Sequence, residues 1–330
     1  MKKILLIYTG GTIGMIQKNN SLSPFDFDNL KNAIPEIKDC GSDVQHISLE
    51  KPIDSSNMNI KYWRELSSCI YNHYDRYDGF VILHGSDTMA YTASMLSYMF
   101  ENINKAIILT GSQLPIGIKR SDAKENLITS IEIASSGIIN EVCVYFEYQL
   151  FRGNRVVKVN ADNFDAFKSP NYPILAQAGV KIKYQKQYLQ IGNKKKLNLF
   201  SEICNNVAVL KLFPSINKKF VKSVLNSSKG IILESFGSGN ATTEKWFLNT
   251  LDSAINNGKI IINISQCLSG SVSQGNYQTS ILLKKIGIIS GGDMTTEAAL
   301  TKLMHLLGQN FSDAKIKQKI TSNLRGEISI

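Results

Sequence analysis

Residues 4–14 read ILLIYTGGTIG: four aliphatic residues, a tyrosine, then three glycines interleaved with two threonines. The apolar part has no alternation between apolar and polar side chains. A strand of that kind is covered on both faces, which is the signature of a parallel sheet flanked by helices. The polar, glycine-rich part then falls at the carboxyl end of the strand, where open parallel sheets bind their ligands.

The pattern repeats down the chain. Apolar strands are expected at residues 44–49, 79–83, 105–109 and 141–146. Between them lie segments of helical period: Phe27, Leu30 and Ile34 before Pro35; Ile60, Trp63, Leu66 and Ile70 after a capping Asn59; residues 88–100; and a helix from about Ser121, where Asp122 and Glu125 fit a capping box. Residues 151–190 carry Pro170, Pro173, Gly179 and several tyrosines, and read as loops and a hairpin. Alternation resumes with strands at 207–212, 230–233 and 259–264 and helices near 217–226, 243–257 and 294–308. The fold class is therefore α/β. A larger N-terminal domain (1–191), doubly wound around a flavodoxin-like parallel sheet, is followed by a linker (192–206) and a smaller C-terminal α/β domain (207–330).

Composition excludes several classes. Apolar residues make up 43% and charged residues 19% of the 330 positions, as in a globular protein with a sizeable core. No apolar run approaches the ~20 residues that span a bilayer. Lys2 and Lys3 resemble the basic start of a signal peptide, but the apolar run stops at Thr9-Gly10-Gly11, short of the roughly 7–15 residues required. Five scattered cysteines and four histidines offer neither a CxxC nor an HExxH spacing, so no disulfide framework, metal or cofactor is expected. The net charge of +10 comes from dispersed lysines, with small clusters at residues 194–196 and 315–319; this is a compositional bias, and no nucleic-acid partner is expected.

Small, hydroxyl or acidic residues collect at four successive strand ends: Thr9-Gly10-Gly11-Thr12, Asp54-Ser55-Ser56, His84-Gly85-Ser86-Asp87 and Thr110-Gly111-Ser112-Gln113. One polar pocket at those ends is the simplest reading. TGGTIG fits neither GxGxxG nor a Walker loop, and Ile16–Ser21 is turn-like where a phosphate loop would enter a helix. The glycines instead allow backbone to approach a small substrate, with Thr12 as a hydroxyl on a flap. A hydroxyl nucleophile needs a proton acceptor. There is no GxSxG elbow, and His84, before a glycine at a strand end, is expected to be structural. What remains is a lysine or tyrosine coupled to a second hydroxyl, with Ser86-Asp87 supplying hydroxyl and carboxylate. The residues alone do not choose the lysine.

YTGGTIG, HGSDTMAYTAS, LTGSQLP, RGNR with a following lysine, and later GSGN and GGDMT together resemble the bacterial-type L-asparaginases, in particular the cytoplasmic type I branch, over nearly the whole chain. The resemblance implies Thr12 as nucleophile, forming a β-aspartyl ester with release of ammonia, and Ser86, Asp87 and Lys158 as the second hydroxyl–acid–lysine group. It implies that Ser86 and Asp87 also bind substrate, the latter through the α-ammonium, and that Ser55, flanked by Asp54 and Ser56, holds the α-carboxylate. Asn240 would reach a neighbouring subunit's site in a homodimer or homotetramer. A cytoplasmic enzyme without cofactor is implied, acting on L-asparagine, with a broader asparaginase/glutaminase or a non-catalytic amino-acid sensor as alternatives.

The chain departs from that pattern at three places. Ser86 stands where the family usually has Thr, Leu22 falls about where many members carry a flap Tyr, and Glu234 replaces an Arg of relatives that have an effector site near Cys267. The reversed charge at Glu234 disfavours an effector carboxylate, and Leu22 cannot relay a proton.

Overall fold

The computed structural model describes residues 1–18, 21–24, 34–275 and 278–329. The chain divides into two compact units, Met1–Ser201 and Glu202–Ile330.

The first unit is built on an eight-stranded sheet. Five strands run parallel in the spatial order Ser42–Ile53, Lys2–Gly10, Gly79–Leu83, Ala106–Thr110, Val142–Phe146. In chain order this is 2-1-3-4-5, the flavodoxin-like winding, whose direction reverses between the first and third strands. Gly79–Leu83, Ala106–Thr110 and Val142–Phe146 are buried along their whole length, as continuous apolar runs must be when both faces are covered. Three antiparallel strands, Gln149–Arg152, Ala176–Gln177 and Lys183–Tyr184, extend the sheet past the fifth.

Helices Ile60–His73, Met89–Met99 and Ala123–Ser135 connect the parallel strands. Asn59 caps the first, its side chain accepting from the Lys61 N–H, and Trp63, Leu66 and Ile70 form the buried stripe. The helix expected around Phe27 and Leu30 lies outside the described residues; Ile34 is buried and leads into a 3-10 turn, Pro35–Cys40.

The capping box at Asp122 is not formed. Asp122 has helical backbone angles and caps nothing with its side chain. Its carboxylate instead accepts from the Gln113 and Leu114 N–H groups, at 3.0–3.2 Å, and from Asn126 Nδ2. Loop amides after the fourth strand need acceptors more than the first turn of the helix does, because Ser121 Oγ already accepts from the Ala123 N–H.

The second unit contains a four-stranded parallel sheet, Val207–Lys211, Gly230–Ser235, Ile260–Ser265 and Ile289–Ser290, in chain order. Helices Lys218–Ser227, Lys245–Asn256 and Thr296–Gly308 form where the periodicity places them. Strand Ile289–Ser290 and helices Gln278–Lys285 and Asp313–Thr321 were not expected. The last of these contains the basic cluster 315–319, yet Ile316 and Ile320 within it are buried four residues apart, which is helical spacing.

The end of the chain is fastened by a fully buried ion pair. Lys302 Nζ lies 2.5 Å from Glu327 Oε1, both side chains being 0% exposed. The ammonium also donates to the carbonyls of Ile320 and Ser322, and the carboxylate accepts from the Leu324 and Arg325 N–H groups. Every site on both charges is thus used, so removing one partner strands the other without water. Lys302→Ala is expected to destabilise the second unit by about 3–5 kcal/mol. Denaturant unfolding checks this, and a loss under about 1 kcal/mol would mean that the pair is replaceable by solvent.

Candidate active site

The first parallel strand ends against the third. Thr9 is buried and its Oγ1 donates to the Leu83 carbonyl at 2.9 Å. Thr12 opens a 3-10 turn, Thr12–Gly14, and is half-buried. Tyr8 supports that turn from within, Oη donating to the Gly14 carbonyl at 3.1 Å. Burial pushes the Tyr8 phenol up to about 12, so it stays protonated and keeps donating.

Glycine is required where these tips meet. Gly11 has φ +88°, and a Cβ there would lie 2.5 Å from the backbone N and Cα of Gly85. A Cβ on Gly85 would in turn lie 2.5 Å from Ser55 Oγ. Main chain therefore touches main chain between the first and third tips, and Ser55 from the second tip closes on the same point. Thr88 Oγ1 donates to the Ser55 carbonyl at 2.7 Å and ties the second tip to the third. Thr12, Ser55 and Ser86 are the residues at or next to this three-way contact.

The turns are short and internally capped. Asp54 accepts from the Ser56 N–H at 2.9 Å and starts the 3-10 turn Ser55–Asn57. Hydrogen bonding from Ser56, its backbone N–H first and its side chain second, holds the Asp54 carboxyl below its ordinary range. Asp54 and Ser56 are exposed while Ser55 is buried, so of the three Ser55 is the one turned into the cluster.

Lys158 comes to the third tip from 72 residues downstream of Ser86. It lies on a two-residue strand, Val157–Lys158, paired antiparallel with Phe167–Lys168. Its Nζ donates to Ser86 Oγ at 2.8 Å and to Asp87 Oδ1 at 2.7 Å. Hydroxyl, carboxylate and ammonium thus sit within one hydrogen-bonded group. The Asp87 side chain is 63% exposed and the Lys158 side chain 19%, so the carboxylate is open to a solute while the amine is covered.

Other sequence-level candidates are used differently. The fourth tip is committed to structure: Thr110 Oγ1 donates to the Tyr145 carbonyl, Ser112 Oγ to the Leu114 carbonyl, and Gln113 Nε2 to the carbonyls of Ala161 and Asn163. Asn240 belongs to the second unit, in a tight turn closed by reciprocal backbone bonds with Phe236. Glu234 is buried there, accepting from Thr296 Oγ1 at 2.6 Å with Lys211 Nζ at 3.6 Å, and Cys267 is exposed. Leu22 stands opposite Gln17 in a hairpin of Met15–Lys18 with Ser21–Pro24. Among the described residues no group of side chains is arranged to hold a metal ion.

The residues that sequence reading undervalued surround His84. This ring is fully buried; Nδ1 lies 2.7 Å from the Gly85 carbonyl and Nε2 lies 2.9 Å from Thr92 Oγ1, and Trp63 Nε1 donates to that same Oγ1. Burial lowers the imidazole to about 4. Buried His305 in the second unit is lowered in the same way, to about 3. Between pH 6.5 and 4 the unfolded chain binds protons that the folded chain refuses, so stability is complete above pH 6.5 and lost as the pH falls through that window. His84 alone accounts for about 3 kcal/mol of the loss. Unfolding midpoints at pH 7 and pH 4.5 measure it; His84→Asn is expected to flatten the acid decline, and an unaltered decline would contradict the assignment.

Comparison with known proteins bears on the same geometry. Residues 3–190 match the family described as "Asparaginase, N-terminal", and residues 206–319 match "Glutaminase/Asparaginase C-terminal domain". L-asparaginase 1 of Escherichia coli (strain K12) is 41% identical over 99% of this chain and 98% of its own length. The 60 kDa lysophospholipase of Mus musculus is 38% identical over the whole of this chain, which spans 63% of the mouse protein. Among solved structures, L-asparaginase I from Vibrio cholerae superposes with a TM-score of 0.93 at 38% identity, covering 100% of this chain and 99% of that one. The thermostable L-asparaginase from Thermococcus kodakarensis gives 0.93 at 30% identity, with 99% of each chain covered. With both family descriptions matched in order and relatives this similar along its full length, the chain belongs to the asparaginase family.

Proposed function

We propose that this protein hydrolyses L-asparagine to L-aspartate and ammonia, with Thr12 as nucleophile. The observation that carries the reading is the joining of the Thr12 turn, Ser55 and the Ser86–Asp87–Lys158 group at one backbone contact. A zwitterionic amino acid needs an anion for its ammonium and several donors for its carboxylate. Asp87 supplies the first from an open position, and Ser55 with neighbouring N–H groups supplies the second, Asp54 and Ser56 shaping that turn.

The side-chain amide then points toward Thr12. Its Oγ1 adds to the amide carbon, the carbon–nitrogen bond breaks, and ammonia leaves with one proton gained for the one that the hydroxyl gave up. Lys158 gives a proton through Ser86 Oγ to the leaving nitrogen and takes the Thr12 proton in its place, so the group ends as it began. Backbone N–H groups of the glycine-rich tips stabilise the tetrahedral oxyanion. Water reverses the sequence at the ester and releases aspartate. No cofactor takes part.

The finer assignments follow from this reading. Residues 1–191 form the catalytic domain, joined through 192–206 to a domain at 207–330, and Asn240 completes the site of a neighbouring copy in a cytoplasmic homodimer or homotetramer. Glutamine differs from asparagine by one methylene, worth only about 1–3 kcal/mol of discrimination, so a broader amidase is the natural second reading. Purified protein is expected to release ammonia from L-asparagine faster than from L-glutamine at equal concentration. Thr12→Ala is expected to lower kcat by at least about 10³-fold while L-aspartate still binds in calorimetry. Binding without any ammonia from the wild type would make the chain an amino-acid sensor instead.

A further inference from the structure

Gly85 lies at the centre of the site and can be held by nothing but its backbone. A side chain on it is forbidden by Ser55 on one side, and its N and Cα face Gly11 on the other. Its carbonyl is gripped by the ring of the residue before it: His84 Nδ1 lies 2.7 Å from Gly85 O. A carbonyl oxygen only accepts, so Nδ1 carries the hydrogen. In the neutral ring Nε2 is then bare and must accept. The Thr92 hydroxyl, 2.9 Å away, is its donor. That hydroxyl is itself oriented, because the Trp63 indole N–H, which only donates, points at Thr92 Oγ1 from 3.0 Å. Trp63 and Thr92 stand on separate helices, Ile60–His73 and Met89–Met99, and both are buried.

Each link fixes the direction of the next. The indole sets the hydroxyl, the hydroxyl sets the tautomer, and the tautomer sets the Gly85 carbonyl. We propose that His84 is a positioning residue, whose Nδ1–H, held in one tautomer by Thr92 and Trp63, fixes the peptide that carries Ser86 and Asp87 against the Thr12 turn. The opposite tautomer would set a lone pair against the carbonyl and release that peptide. The inference rests on the reading of Ser86, Asp87 and Thr12 given above, but its first readout is independent of activity.

The wild-type protein, labelled with 15N in its histidines, is expected at pH 7.5 to show a buried ring protonated at Nδ1 and bare at Nε2. An Nε2–H tautomer overturns the proposal whatever the substrate. The kinetic arm uses two variants that keep different halves of the ring. In His84→Asn the amide nitrogen occupies the Nδ1 position and still donates to Gly85 O; in His84→Gln it reaches only toward Thr92. His84→Gln is expected to lower kcat for L-asparagine by about 10²-fold with KM changed little, while His84→Asn recovers most of that loss. Equal kcat in the two variants, per folded molecule, overturns the proposal. Should neither fold, Thr92→Val decides: kcat reduced several-fold at constant KM is expected, and an unaltered kcat overturns it. Absence of ammonia release in the wild type itself would defeat the functional reading and leave the tautomer result standing.

Discussion

Everything at the carboxyl edge of the first sheet depends on main chain meeting main chain between Gly11 and Gly85. The winding order puts the first strand beside the third, and their tips diverge into loops that would normally be kept apart by side chains. Two residues without a Cβ let those loops close to contact distance, and Ser55 fills the remaining corner. The Thr9–Leu83 and Thr88–Ser55 bonds hold the arrangement from both sides. The glycines at this point serve approach between loops of the protein, and proximity among Thr12, Ser55 and Ser86 is a consequence of backbone geometry before any side chain chooses a rotamer.

The ion pairs of the molecule divide by burial, and the division says what each is for. Arg152–Glu141 and Lys302–Glu327 are sealed from water and make further hydrogen bonds to backbone; they fasten the start of the fifth parallel strand to the antiparallel strand beside it and hold the end of the chain. Lys158–Asp87 is different, with a covered amine facing a carboxylate that is mostly exposed. Pairs so open to solvent contribute little to stability. A lysine brought 72 residues along the chain to such a position is therefore better explained by its second partner, Ser86 Oγ, than by the salt bridge.

Much of the fold was legible because its signals are local. Continuous apolar strands such as Gly79–Leu83, the Asn59 cap, and the stripe Ile60, Trp63, Leu66, Ile70, with steps of three and four residues, each announce themselves within a few residues. Three of the failures share a cause, partners that come from elsewhere in the chain. Asp122 reads as a cap because Glu125 follows it, but the loop amides that claim it are brought in by the tertiary fold. Trp63, His84 and Thr92 are unremarkable in three separate segments and become one directed chain of bonds only when their elements pack. Lys158 carries no chemical signal of its own and is singled out only by the family resemblance, since Arg152, Gly153 and Arg155 make its surroundings look like a solvated basic run, whereas Arg152 and Arg155 are buried. Helix Asp313–Thr321 has a local signal, Ile316 and Ile320 at helical spacing, masked by the lysines that surround it.

The same rule that nominates the first sheet, ligands at carboxyl ends of parallel strands, nominates the second as well. What separates them is how far the polar groups at the tips are already spent. In the second unit Gln266 Nε2 donates to the carbonyls of Leu212 and Glu234, Ser235 Oγ to Asn263, Asn263 Nδ2 to the Gly239 carbonyl, and Ser265 Oγ to the Gly237 carbonyl. Asp293, from the GGDMT segment, accepts from the Ser329 N–H and holds the end of the chain. Those side chains satisfy their own loops and have little left to offer a solute. In the first unit the fourth tip is spent in the same manner, but the first three are not: no other described residue bonds the Thr12 hydroxyl, and Asp87 is shared with a single lysine and otherwise faces outward. Unspent polarity at a point where the backbone has been drawn tight is the physical distinction between a strand end that closes a fold and one that is available for chemistry.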